Sequence, residues 1–219
     1  MSSTPKAFLF DFSGTIVDDV KVSLSAVNYA LRSIATDADE VTLGEFVARF
    51  KVPYGFVFER LGISPEGAQR IPLLFQEAYL RELDRAVLFR DAEEMLVRMR
   101  KDKVQTGIVS NTPRTIIDAV LAKQNAACLF DLVLGMEDLS APKPSPKSIV
   151  VSAERLGRRL QEVAYVGDTG DDIQAAKAAG AVSIAVWREL GHYQRIGALI
   201  SSNPKFFVNR LTEILNISW

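Results

Sequence analysis

The 219-residue sequence predicts an α/β fold: a doubly wound parallel-sheet core carrying an inserted all-helical cap domain. Three observations point there. Short apolar runs without polar alternation recur along the chain, segments of helical period separate most of them, and one long stretch near the N-terminus is helical in pattern throughout. Strands covered on both faces read as continuous apolar runs. Their alternation with helices implies a parallel sheet with right-handed crossovers.

Taken in order, the first run is Ala7 to Phe10, which ends in Asp11. From about Asp18 to Asp84 the pattern is helical: Val22, Ala26, Val27, Ala30 and Leu31 form one stripe, and Leu74, Phe75, Ala78 and Tyr79 form the last. Between them lie the shorter stripes Phe46, Val47, Phe50 and Phe56, Val57, Leu61, and no buried strand interrupts the series. Residues 18–84 are therefore read as the cap, and residues 1–17 with 85–219 as the core. Beyond the cap, a helix over Asp91 to Arg100 buries Ala92, Met95, Leu96 and Met99. Strands follow at Thr106 to Val109, Leu132 to Leu134, Val163 to Val166 and Ala181 to Val186. The stripes Ile116, Val120, Leu121, then Ile149, Val150, Leu156, then Ile173, Ala176, Ala179 mark the helices between them. Phe206 to Val208 reads as a last short strand, with a closing helix after it.

Composition excludes several classes of function. Lys and Arg number 26 against 27 Asp and Glu, and 48% of residues are hydrophobic, as in an ordinary globular protein. A near-neutral balance leaves no footprint for nucleic acid or an anionic membrane surface. No apolar run approaches the roughly 20 residues that cross a bilayer. Met1 to Lys6 has no secretory character, and the one cysteine, Cys128, makes neither an internal disulfide nor a thiolate metal site. A reducing, cytoplasmic setting is expected. No long heptad run is present, so a monomer or a homodimer is expected.

In parallel sheets of this kind, ligands sit beyond the carboxyl ends of the strands. The predicted strand ends carry Asp11-Phe12-Ser13-Gly14-Thr15, Ser110-Asn111-Thr112 and Gly167-Asp168-Thr169-Gly170-Asp171-Asp172. A lysine in a proline-flanked loop, Lys143 of Ala141-Pro142-Lys143-Pro144-Ser145-Pro146, lies between the last two. Several acids converging on one sheet edge would repel one another. Bound Mg²⁺ plus an ammonium would balance them, with oxygen ligands from Asp11, Asp168 and Asp172. Each residue also has a plainer reading: Asp168 and Asp172 as acids favoured by a helix N-terminus, Ser110 as a helix cap, and Lys147 in place of Lys143.

The four segments, in this order and spacing, resemble those of the haloacid dehalogenase-like hydrolases, and among these the phosphoglycolate phosphatase-type members with a helical cap inserted after the first strand. The resemblance covers nearly the whole chain and implies a Rossmann-like core. It implies that Asp11 attacks phosphorus and forms an aspartyl-phosphate, that Ser110 and the Asn111 backbone bind a phosphoryl oxygen, and that Lys143 holds the phosphoryl group and the nucleophile. Gly14 and Thr15 would turn the chain over the phosphate. Mg²⁺ would be held by Asp11, the backbone carbonyl of Ser13, Asp168 and Asp172. The implied partner is a small phosphorylated metabolite.

One position departs from the pattern. Phosphatases of this family carry a second Asp two residues after the nucleophile, as general acid and then base; here Ser13 stands there. A serine hydroxyl does not titrate near neutral pH, and a positioned acid/base is worth about 10²- to 10⁴-fold. Two other functions stay open on this account. Phosphonoacetaldehyde hydrolases carry a small residue at the Ser13 position and use a cap lysine, for which Lys51 is the candidate. The third possibility is a binding protein that holds a phosphorylated ligand with negligible turnover.

Overall fold

The structure, a computed structural model, describes residues 4–35, 39–49, 65–189 and 191–219. Lys51 and the stripes from Phe50 to Leu61 lie outside the described residues. The strands are β1 (Ala7–Phe10), β2 (Val17–Asp18), β3 (Val87–Leu88), β4 (Gln105–Val109), β5 (Leu132–Leu134), β6 (Val163–Gly167), β7 (Val182–Val186) and β8 (Phe206–Val208). The described α-helices are α1 (Val20–Ile34), α2 (Leu43–Arg49), α3 (Pro65–Arg81), α4 (Arg90–Lys101), α5 (Arg114–Lys123), α6 (Lys147–Arg155), α7 (Gly170–Ala179) and α8 (Ile196–Ser201).

Six strands form one parallel sheet in the order β5-β4-β1-β6-β7-β8. The apolar runs are buried because helices cover both faces. Phe8 and Phe10 pack with Met95 and Leu96 of α4 and Ile116 and Val120 of α5, while Ala7 and Leu9 pack with Ile149 of α6 and Ala176 of α7. Alternate residues thus serve opposite faces, and neither face leaves room for a polar residue. From β1 the chain builds outward through β4 and β5 on one side and β6, β7 and β8 on the other. Strand order reverses at β1, where a crevice opens beyond the strand ends.

Register brings the chemistry together at that crevice. Phe10 pairs with both Ile108 and Val166. Asp11 therefore follows the central strand directly, while Ser110 and Asp168 emerge two residues beyond its partners. Helix α7 starts there under sequence control: Thr169 caps it, Asp172 answers as the third residue of a capping box, and Gly180 ends it with φ +78°.

Helices α1, α2 and α3 lie between β1 and β3 in the chain. Val22, Ala26, Val27 and Leu31 of α1 share one buried cluster with Phe46 of α2 and with Phe75, Ala78 and Tyr79 of α3, continuous with the Phe8 and Phe10 face of the sheet. Buried Asn28 of α1 accepts from the Val41 amide and donates to its carbonyl, at 2.7 and 3.0 Å. Where the helical insert leaves and rejoins the core, β2 and β3 form an antiparallel pair absent from the sequence reading. The expected closing helix is instead a 3₁₀ segment, Leu211–Asn216, whose buried Leu211 and Ile214 are three residues apart. That spacing suits three residues per turn. No described helix is long and apolar enough to cross a membrane.

The insert is fastened to the core through Asp19, which is 1% exposed at the start of α1. Its carboxylate accepts the Ser13 hydroxyl at 2.7 Å, the Tyr79 hydroxyl of α3 at 2.7 Å and the Tyr193 hydroxyl at 2.8 Å. Burial raises its pKa to about 6, against the pull of these three donors, and the neighbouring Asp11 charge adds to the rise. The folded state thus binds a proton that the unfolded chain, with an ordinary carboxylate near 3.9, has already lost. This contribution to stability is complete below pH 4 and is lost as pH rises through 6. The gap corresponds to roughly 3 kcal/mol. Urea unfolding of the wild type and of Asp19→Asn between pH 4 and 7 should show wild-type stability falling relative to the variant up to about pH 6.5, with no further change above it. Parallel profiles throughout would contradict the assignment.

Candidate active site

Asp11 leaves β1 with its amide bonded to the Val166 carbonyl at 2.9 Å. The residue is 7% exposed, and its carboxylate accepts the Lys143 ammonium at 2.7 Å. The same ammonium donates to Asp172 at 2.5 Å and to the Tyr165 hydroxyl at 2.8 Å. All three of its hydrogens are placed in that arrangement. Tyr165 passes its own hydrogen to the Val109 carbonyl at 2.7 Å, so the lysine rests on strand backbone. The competing Lys147 is exposed at the start of α6.

Lys143 sits on a loop, and Asn111 makes that loop definite. The Asn111 side chain accepts the Lys143 amide at 3.0 Å and donates to its carbonyl at 3.3 Å. The expected phosphate-binding asparagine thus spends its side chain on holding the lysine backbone. Ser110 is 1% exposed and does not cap α5, which begins after Pro113. Its hydroxyl donates to Thr112 Oγ1 at 3.1 Å, and Ser13 Oγ lies 3.3 Å from the same Thr112 oxygen.

Gly14 and Thr15 act beneath Asp168. Gly14 has φ +72°, and a Cβ there would come within 2.5 Å of Asp168 Oδ2 and 2.6 Å of the Tyr193 ring. Only glycine permits so close an approach in that conformation. The Thr15 hydroxyl donates to Asp168 Oδ1 at 3.1 Å, and the Tyr193 amide donates to Oδ2 at 3.2 Å. Asp172 gives one oxygen to Lys143 and the other to the Thr169 amide and hydroxyl. Its helix-capping role and its place in the cluster coexist.

One oxygen from each of Asp11, Asp168 and Asp172 lies within 4.8 Å of the others, all three residues being buried. Three carboxylates face one ammonium. Burial raises the Asp11 pKa, with Lys143 opposing and Asp172 reinforcing the rise; burial and the Asp11 and Asp172 charges hold Asp168 well above the usual carboxylate range. For Lys143, burial disfavours the charge, but the Asp11 and Asp172 carboxylates outweigh it and set its pKa well above the ordinary value. An oxygen-rich, charge-deficient cluster of this kind fits a hard divalent cation.

Above the cluster lies a cavity of about 60 Å³ lined by Asp11, Ser13, Ser110, Lys143 and, from the helical insert, Phe75 and Tyr79. The sequence reading placed none of Asp19, Tyr79, Tyr165 or Tyr193 in the site. Asp19 looks like any acid opening a helix, and the tyrosines like core, because their partners lie far away in the chain. His192 lies against Trp187 with ring centres 4.2 Å apart and planes inclined by 34°, and contacts the Arg188 carbonyl.

The chain is similar to proteins named phosphoglycolate phosphatase. One from Pectobacterium atrosepticum is 26% identical over 96% of this chain and 91% of its own. Another, from Salmonella typhimurium, is 28% identical over 94% of this chain and 89% of its own. Among solved structures, a predicted phosphoglycolate phosphatase from Haemophilus somnus superposes with a TM-score of 0.85 at 19% identity, covering all of both chains. CbbY from Rhodobacter sphaeroides, solved with xylulose-(1,5)bisphosphate, superposes at 0.81 with 16% identity and covers 96% of each. These two show the shared fold. The model of the haloacid dehalogenase-like hydrolases matches residues 8–186, from β1 through the end of β7, and this chain belongs to that family.

Proposed function

We propose that the protein is a Mg²⁺-dependent phosphatase of small phosphorylated metabolites that works through an aspartyl-phosphate on Asp11. The observation that carries this reading is the Asp11 carboxylate itself, held by Lys143 among three clustered buried acids at the floor of a cavity that Ser110 also lines. Names of the relatives point to the same substrate class.

Asp11, Asp168, Asp172 and the Ser13 backbone carbonyl would hold the cation, which when bound neutralises phosphoryl charge. The chain's own groups do the rest. An Asp11 oxygen attacks phosphorus as the ester P–O bond breaks, and the departing alkoxide takes a proton from water and leaves as the alcohol. Water then attacks the same phosphorus, inorganic phosphate departs and the Asp11 carboxylate is restored. Lys143 holds the nucleophile and meets phosphoryl charge, and Ser110 contacts a phosphoryl oxygen. Positioning of this sort supplies most of the catalysis in phosphoryl transfer. Phe75 and Tyr79 line the cavity together with Asp11; opening of the cap would admit substrate, and closure would keep bulk water from the reacting groups. The lone Cys128 and near-neutral charge suit a cytoplasmic protein acting on a small molecule, as a monomer or a homodimer.

Phosphate release from a panel of phosphomonoesters and acyl phosphates should require Mg²⁺, stop with EDTA, and fall by at least about 10³-fold in Asp11→Asn. Release that persists in the variant would sink the reading. Ser13 offers a second test. Its hydroxyl donates to Asp19, so a carboxylate introduced at position 13 alone would face another at once. The exchange variant Ser13→Asp/Asp19→Ser keeps one carboxylate and moves it to the position next to the nucleophile. Alkyl phosphate hydrolysis in the exchange variant should exceed the wild type by about 10-fold or more, the lower range of acid/base catalysis. An equal or lower rate would show that the acid/base is supplied elsewhere.

A further inference from the structure

Arg188 follows β7 and is 7% exposed, yet it does not line the cavity. Its Nη1 donates to both oxygens of Asp91, at 2.7 and 2.8 Å, and its Nη2 donates to the Thr15 carbonyl at 2.8 Å. The guanidinium lies 3.9 Å over the Phe89 ring, and Asp91, 7% exposed, accepts the Leu211 amide at 2.6 Å as well. A buried ion pair of this kind adds little net stability, because desolvation offsets the attraction. Here Arg188 Nε also lies buried with no hydrogen-bond partner among the described residues, a further cost. What the pair does provide is geometry, since a planar fork fixes two acceptors relative to each other.

Asp91 anchors the fork to α4, and the other acceptor, Thr15, belongs to a segment that sets Asp168. One oxygen of Asp168 takes the Thr15 hydroxyl, and the Thr15 carbonyl is held by Arg188. The other takes the Tyr193 amide, and the segment leading to Tyr193 starts from Arg188, whose carbonyl is met by His192. Both donors on Asp168 therefore depend on one anchored residue. We infer that the Arg188–Asp91 ion pair is a positioning device for Asp168, orienting that carboxylate for the divalent cation of the proposed reaction. The inference rests on the cation reading above and adds to it a residue outside the cavity.

The test is Mg²⁺ binding measured by titration calorimetry, with no substrate present. Groups that orient a metal ligand are typically worth 10- to 100-fold in metal affinity. Arg188→Met and Asp91→Asn should weaken Mg²⁺ binding by about 10-fold or more, and Thr15→Val, which removes the hydroxyl on Asp168, should do the same. Arg188→Lys keeps the charge and loses the fork, and is expected to weaken binding as well. Should the single variants misfold, Arg188→Met/Asp91→Leu removes both charges together, which buried pairs tolerate well; the folded double variant should bind Mg²⁺ as poorly. A lowered Tm with wild-type Mg²⁺ affinity in these variants would overturn the positioning role and leave the phosphatase reading intact. A wild-type protein that binds no Mg²⁺ would remove the cation reading and this inference with it.

Discussion

Three carboxylates and one ammonium buried together at the end of the central strand are the constraint on which the rest of this structure depends. Such a cluster is expensive to assemble, since each buried charge loses water. Nearby elements carry hydrogen-bond partners that offset the loss: Tyr165 accepts from Lys143, Thr169 donates to Asp172, and Thr15 and the Tyr193 amide donate to Asp168. The excess of acid over base is what makes the place suited to a cation and to a phosphoryl group bound beside it. A bound cation would oppose the burial, and the mutual repulsion added to it, that raise the Asp11 and Asp168 pKa values.

Parallel topology explains how so few residues suffice. Reversal of strand order at β1 brings the ends of β4 and β6 to either side of it, so a short polar segment after each strand reaches a common centre. Loops that would otherwise be free are made definite by side chains acting on backbone. Asn111 grips Lys143, and Arg188 grips Thr15. The electrostatic core thus depends on a ring of more distant contacts that fix its geometry.

Ser13 and Asp19 connect the site to the helical insert. No carboxylate stands two residues after the nucleophile, but one lies six residues beyond that position, bonded to the serine there, and it also gathers Tyr79 from the insert and Tyr193 from the core. One buried acid therefore touches the nucleophile's loop, the cap and the wall of the cavity. A change in its charge would be felt by all three.

How much of this was legible in the amino-acid order follows from the range of the interactions. The strands at Ala7, Leu132, Val163 and Phe206 and the helix marked by Ile173, Ala176 and Ala179 were readable because burial leaves local patterns. The two-residue strands β2 and β3 left none, since each is a strand only by virtue of the other, some seventy residues away. Asp11, Ser110 and Asp168 stood out because strand ends in a parallel sheet must converge, a rule that the order of elements alone supplies, and Lys143 stood out by its proline-flanked loop. The partners of those groups did not stand out. Asp19 bonding to Tyr193, Arg188 to Asp91, and Asn111 to the Lys143 backbone are pairings across 174, 97 and 32 residues. Sequence by itself determined the layered α/β core and the chemical types at its working edge. Only the tertiary structure decided which side chains hold that edge in place, because a buried polar group's partner is chosen by packing in space and not by distance along the chain.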